Sequence, residues 1–232
     1  MAGKIFLTGD THGFIDSRKL WKFASLNPDL SKEDYLIVLG DFGFIWDGSD
    51  REIERLAELE KLPFTTLFLC GNHENFDLLE QYEKTMWRGG TVQFVSDSII
   101  HLCRGQVFTI SGKKFFVMGG ATSIDFELRT EGESWWQQED ISDAELDEGF
   151  RNLAANDNTV DYVLTHCAPT RYAQEIIENG LGERHHHDVN EMHLEDFRIL
   201  PLNFTHWYCG HYHVLYESSR FTCLYNEVVE LI

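Results

Sequence analysis

The chain has 232 residues, with 39 acidic against 19 basic side chains and a net charge of −20. Such a field repels polyanions and argues against sequence-independent clamping of long DNA or RNA, whose affinity comes from neutralised phosphates. A composition 43% hydrophobic and 25% charged is ordinary for a globular protein, with one domain expected over 1–232, and no apolar run approaches the ~18 residues of a membrane span.

Met1-Ala2-Gly3-Lys4 leads straight into an apolar run with no signal-peptide segment before it, so a cytoplasmic location is expected. Strands are expected over Ile5 to Thr8, Tyr35 to Leu39, Thr66 to Cys70 and Tyr162 to Thr165, each continuously apolar as a strand covered on both faces should be. Helical spacing marks Arg18 to Leu26, Asp50 to Lys61 and Asn75 to Tyr82 between the first of them, giving βαβ units. The middle changes character. Val92 to Val95, Ile99 to Leu102, Gln106 to Ile110 and Phe115 to Met118 are closely spaced strands, expected to pair antiparallel, with Ser111-Gly112-Lys113-Lys114 as a hairpin turn. Ser142-Asp143-Ala144-Glu145 matches a capping box and opens a helix with Leu146, Phe150 and Leu153 as its apolar stripe. A helix ending near Asn179-Gly180 follows, and then strands at Trp207 to Cys209, Val214 to Glu217, Phe221 to Tyr225 and Val228 to Leu231.

Cys70, Cys103, Cys167, Cys209 and Cys223 form no C-x-x-C pair, so they read as small buried hydrophobes rather than a disulfide framework or zinc knuckle. The chemistry lies elsewhere, in five clusters that each follow an expected strand: Gly9-Asp10-Thr11-His12-Gly13, Gly40-Asp41, Gly71-Asn72-His73-Glu74, Thr165-His166 and Gly210-His211-Tyr212-His213. Taken singly, an Asp after a strand is more often a helix cap or turn residue. Five such clusters, delivered by a parallel sheet to one rim, gather carboxylate, imidazole and amide donors together. Asp10/His12 and His211/His213 can each chelate one ion or divide between two. That donor mixture suits Mn²⁺, Fe or Zn²⁺, with Ni²⁺ also admissible, better than Ca²⁺ or thiolate-selective metals.

These clusters, in this order from Gly9 to His213, resemble the signature of the calcineurin-like metallophosphoesterases. The resemblance implies a four-layer α/β/β/α sandwich, that is, two mixed sheets flanked by helices. It implies two divalent ions, one bound by Asp10, His12, Asp41 and His213 and the other by Asp41, Asn72, His166 and His211, with Asp41 bridging. Two ions about 3.5 to 4 Å apart lower the pKa of a shared water and clamp the oxygens of an in-line displacement at phosphorus. His73 would be the family's non-ligand histidine, which protonates the leaving oxygen or stabilises the pentacoordinate phosphorus. Glu74 either orients His73 or caps the following helix.

The second motif departs from the phosphoprotein phosphatases, which read G-D-x-V-D-R-G and use that Arg on the substrate phosphate. Here it runs Gly40-Asp41-Phe42-Gly43-Phe44-Ile45, with Ile45 in the Arg slot, which argues against a Ser/Thr protein phosphatase or a dinucleoside tetraphosphatase. Arg129, after Gly119-Gly120, is the candidate replacement, and Trp135-Trp136 could stack on a base or simply anchor a loop. Asn72 and His73 join Arg129 as candidate substrate contacts. His185-His186-His187-Asp188 reads as a solvated loop, or else as a lid over the metals or a third metal site. His101, His193 and His206 match no motif and read as structural. The resulting expectation is a phosphoesterase acting on a small phosphodiester or phosphomonoester, nucleotide-like, without membrane association. The rivals are a nuclease, opposed by the net charge, and a protein-binding scaffold, opposed by the intact set of eight motif residues.

Overall fold

The apolar runs become strands whose alternate residues feed two different cores. In this computed structural model, which describes residues 3–179 and 188–231, β1 (Ile5–Thr8), β2 (Tyr35–Val38) and β3 (Thr65–Phe68) lie parallel and side by side. Leu7, Ile37 and Leu67 face a core shared by two sheets, whereas Phe6, Leu36, Val38 and Phe68 face helices on the other side. Successive side chains of a strand point to opposite faces. A strand buried on both therefore tolerates few polar residues, which is why these runs look unbroken rather than alternating.

The first sheet continues from β3 through β6 (Ile99–Leu102), β5 (Gly90–Ser96) and β4 (Lys84–Trp87), and β13 (Val228–Leu231) closes its other edge against β1. The second sheet orders β11 (Tyr216–Glu217), β12 (Phe221–Cys223), β10 (His206–Cys209), β9 (Tyr162–Thr165), β8 (Lys113–Met118) and β7 (Gln106–Ile110). Helices α1 (Arg18–Leu26), α2 (Asp50–Leu59) and α3 (Phe76–Leu79) cover the outer face of the first sheet through Leu20, Ala24, Leu59, Phe76 and Leu79. On the outer face of the second, α4 (Asp143–Ala155), α5 (Thr170–Glu178) and α6 (Val189–Ile199) pack Leu153, Ala173, Ile176, Leu194 and Phe197 against Phe116, Met118, Val163 and Trp207. The expected sandwich of two mixed sheets between helical layers is what forms. Ser142 and Glu145 cap α4 reciprocally, as the capping box predicts, and all five cysteines are free and buried.

Three expectations need correction. The central strands do not form one antiparallel group. β4-β5-β6 and β7-β8 pair antiparallel, but β6 joins β3 in parallel and β8 joins β9 in parallel, because the chain changes sheets between β6 and β7. The helix expected over 75–82 is one turn, Phe76–Leu79, and an unanticipated edge strand, β4, follows it with Lys84, Thr85 and Met86 exposed. No helix was anticipated at α6, whose buried stripe is thin: Asn190, Leu194 and Phe197. Among the described residues no helix is long and apolar enough to cross a membrane.

Candidate metal centre

The carboxyl ends of β1, β2, β3, β9 and β10 converge, and hydrogen bonds between their loops fix the convergence. The backbone N–H groups of Thr11 and His12 donate to the Asp41 carbonyl at 3.0 and 2.8 Å, and Gly13 N–H donates to Phe42 O at 3.0 Å. Asp41 Oδ1 accepts from the backbone of both Asn72 and His73 at 2.9 Å, and Asp10 Oδ1 accepts from His211 N–H at 2.9 Å. The motif glycines leave room for this crowding. A Cβ on Gly40 would sit 2.1 Å from the His166 ring, one on Gly71 would sit 2.2 Å from Asp41 Oδ1, and one on Gly210 would sit 2.3 Å from Asp10 Oδ1. His12, Asp41, His211 and His213 all adopt positive φ, at 41°, 46°, 69° and 53°. Non-glycine residues rarely sit there, and such strain persists where the surroundings impose it, characteristically at functional sites.

Two donor groups result, sharing one carboxylate. Asp10, His12, Asp41 and His213 bring one ligand atom each to within 4.8 Å of one another, and so do Asp41, His166 and His211. Asn72 joins the second group, its Oδ1 lying 3.3 Å from His166 Nε2. The tautomers show why a cation fits. His166 Nδ1 lies 2.7 Å from Leu39 O, which can only accept, so Nδ1 carries the hydrogen and Nε2 of the neutral ring presents a lone pair. That lone pair faces Asp41 Oδ1 at 3.2 Å and Asn72 Oδ1 at 3.3 Å, three acceptors with no donor between them. His12 repeats the pattern, with Nδ1 held by Asp16 Oδ2 at 2.8 Å and Nε2 aimed at Asp41 Oδ2 at 3.2 Å. Only a proton or a metal ion relieves such contacts, and a carboxylate or carbonyl behind the far ring nitrogen is the usual support of a metal-binding imidazole.

Without a cation, protons take that place. Burial opposes charging His166, but Asp41 and Asp10 outweigh it and lift its pKa to about 10; the same contest lifts His12 to about 9, with Asp41 the main partner. Burial also opposes ionisation of Asp41, yet His166 and His12 hold its carboxyl well below the usual range. His73 goes the other way: burial lowers its pKa against the pull of Asp41, with Arg129 among the cations that add to the lowering.

His73 lies beside both donor groups but belongs to neither, its ring 5.3 Å from that of His12. A cavity of about 490 Å³ opens over the site, lined by Asp41, Asn72, His73, Thr122, Ile124, Arg129, His211 and His213 among others. Arg129 lines this cavity, with Nε paired to Asp125 Oδ1 at 2.7 Å and Nη1 donating to Ser134 O at 3.2 Å. The tryptophan pair takes its anchoring alternative. Trp136 is 2% exposed and donates from Nε1 to Asp77 at 2.9 Å, Trp135 packs on Phe126, and neither lines this cavity. Glu74 serves neither role expected of it. Its carboxylate accepts from Phe42, Gly43 and Gly71 N–H, tying the second motif loop to the third, while Asn75 caps α3. Burial, with Asp41 close by, pushes Glu74 up to about 7. Ile45, in the Arg slot, is buried in the outer core.

His101 and His206 are structural as read, bonded to Gln93 and Thr222. His185, His186 and His187 lie outside the described residues. Sequence reading missed Asp16, whose signal was its place one helical turn after His12. It also missed Lys19 and Tyr225, which had no signal. Lys19 Nζ donates to the carbonyls of Gly9, Asp10 and Tyr225, and the Tyr225 ring stacks on His213 at 4.6 Å.

Residues 3–215 match the family model described as Metallophos, calcineurin-like phosphoesterase. Among solved structures, the chain is similar to phosphopantetheinyl hydrolase (PptH) from Mycobacterium tuberculosis, at 15% identity and a TM-score of 0.45, over 97% of this chain and 90% of that one. It is also similar to the calcineurin-like phosphoesterase YfkN from Bacillus subtilis, at 12% identity and a TM-score of 0.46, over 99% of this chain and 84% of that one. No curated protein matches it. With the family model spanning nearly the whole chain and every one of its five sequence clusters gathered at one rim, the protein belongs to the calcineurin-like phosphoesterases.

Proposed function

We propose that the protein hydrolyses a small phosphodiester or phosphomonoester, of nucleotide-like size, with two divalent ions held at this centre. The observation that carries the reading is the position of Asp41, the one side chain common to both donor groups. Asp10, His12, Asp41 and His213 would hold one ion; Asp41, Asn72, His166 and His211 would hold the other. When bound, such a pair lowers the pKa of a shared water and offsets charge on the phosphoryl oxygens during in-line displacement. Mn²⁺ is the first choice for a set of imidazole, carboxylate and amide donors, with Fe, Zn²⁺ and Ni²⁺ also compatible.

The remaining roles belong to the chain. His73, at the rim of the cavity and outside the donor groups, would assist the leaving oxygen or hydrogen-bond to the phosphoryl group as charge builds on it. Arg129 supplies the cation that Ile45 cannot, its guanidinium held at Nε by Asp125 and at Nη1 by Ser134 O. The cavity of about 490 Å³ falls within the range of small-molecule sites, and the net charge of −20 opposes long nucleic acid. Nucleotide likeness rests on cavity size and charge, since neither tryptophan lines the cavity.

Metal analysis of the purified chain, followed by hydrolysis of bis-nitrophenyl and mono-nitrophenyl phosphate with added Mn²⁺, tests the reading. Two metal equivalents and turnover abolished by Asp41→Asn are expected. Full turnover in the Asp41→Asn variant overturns it.

A further inference from the structure

The amide of Asn72 poses a problem that none of the five sequence clusters solves. An Asn side chain carries an acceptor at one end and donors at the other, and rotation by half a turn exchanges them. Only Oδ1 can serve a cation, so something must hold the donor end away from the centre. Asn72 Nδ2 donates to Ser123 Oγ at 3.2 Å, which leaves Oδ1 beside His166 Nε2 at 3.3 Å. By itself a hydroxyl does not choose, because it donates as readily as it accepts.

The choice is made one residue further out. Ser123 N–H donates to Glu139 Oε2 at 3.2 Å, which brings the Ser123 hydroxyl to the same carboxylate. Burial lifts the Glu139 pKa to about 7, so above that pH the carboxylate is ionised and only accepts, the hydroxyl hydrogen goes to Glu139, and the Ser123 lone pairs remain for Asn72. Glu139 is itself pinned. Its Oε1 accepts from Trp136 N–H at 3.2 Å, and the Trp136 ring is locked by its bond to Asp77 and by an edge-to-face contact with Trp46 at 5.5 Å. Asn72, Ser123 and Glu139 are 6%, 1% and 1% exposed, so water does not compete for these bonds.

We infer that Glu139 and Ser123 form a polarised relay that fixes the orientation of the Asn72 amide and so completes the second donor group. Both are positioning residues. The inference rests on the two-ion reading above and adds to it a dependence on residues 123 and 139. It also gives the buried Trp136 a purpose, since its backbone N–H and locked ring hold the far end of the relay.

The test is Mn²⁺ titration of the chelator-treated full chain by calorimetry at about pH 8, where Glu139 is ionised. Losing a supporting hydrogen bond of this kind weakens metal affinity about 10- to 100-fold. Ser123→Ala is expected to weaken one of two Mn²⁺ equivalents by that factor and leave the other unchanged. Glu139→Gln, acting from the far end, is expected to weaken the same equivalent. In an Asn72→Asp background both ends of the side chain are acceptors and orientation carries no information, so the effect of Ser123→Ala should shrink to within about 3-fold. Two unaltered equivalents in Ser123→Ala, or an undiminished effect in the Asn72→Asp background, overturns the relay and leaves the two-ion reading standing. A wild-type chain that takes up no Mn²⁺ overturns both.

Discussion

Gly71→Ala puts the crowding of the centre to the test. An added Cβ would lie 2.2 Å from Asp41 Oδ1, 2.5 Å from the Asp41 backbone nitrogen and 2.6 Å from His166 Nε2. An ordinary contact needs about 3.5 Å, so the second and third motif loops must part by roughly 1 Å. Asp41 Oδ1 holds two backbone N–H groups at 2.9 Å, and that shift breaks both. Overpacking costs about 1–3 kcal/mol, and each bond to a charged acceptor about 1.5–3 kcal/mol. Partial relaxation brings the expected loss to about 3–5 kcal/mol. For a chain of this size that lowers Tm by roughly 10 °C. Gly112→Ala is the control: its Cβ meets nothing within 4 Å, and only its φ of +82° is strained, at a cost of about 1–2 kcal/mol. Thermal unfolding in chelator gives the stability, and Mn²⁺ titration gives the site, where both equivalents should weaken because Asp41 serves both groups. A Gly71→Ala protein that melts within about 2 °C of wild type and binds Mn²⁺ unchanged would refute the packing argument.

Three other outcomes follow from the site and its surroundings. His73→Ala should lower turnover about 10²- to 10⁴-fold while Mn²⁺ stoichiometry stays at the wild-type value, since His73 lies outside both donor groups; loss of metal in that variant would make it a ligand instead. Arg129→Ala should raise KM for a nitrophenyl phosphate by about 10- to 100-fold, the loss of one charged hydrogen-bonding pair, and an unchanged KM would remove Arg129 from the substrate site. His101, buried and bonded through Nδ1 to Gln93, has its pKa pushed down by burial to about 3. The folded state thus prefers the neutral ring. Its contribution is complete above the unfolded pKa near 6.5 and is lost as pH falls towards 3, amounting to about 2 kcal/mol at pH 5. Denaturant unfolding at pH 8 and pH 5 should therefore show a difference smaller by that amount in His101→Leu than in wild type, and equal differences would contradict it.

Most of the strands, the order of the five clusters and the donor chemistry they carry are legible in the amino-acid order alone. Unbroken runs such as Tyr35 to Val38 could only be strands covered on both faces, and a motif placed directly after a strand is delivered to the sheet's rim whatever the details of packing. Even the departure at Ile45 was legible, and the structure explains it by burying that side chain among the outer-core aromatics. Local patterns failed where partners came from far along the chain. β4 is an exposed edge with no apolar signal, α6 buries only a thin stripe, and the exchange of sheets between β6 and β7 has no residue that announces it. Tertiary structure alone decided what Glu74, Ser123, Glu139 and Trp136 do. A buried polar group has to find a partner, and which partner it meets depends on loops brought together by folding, 32 residues apart for Glu74 with Phe42, 31 for Glu74 with Gly43 and 51 for Asn72 with Ser123.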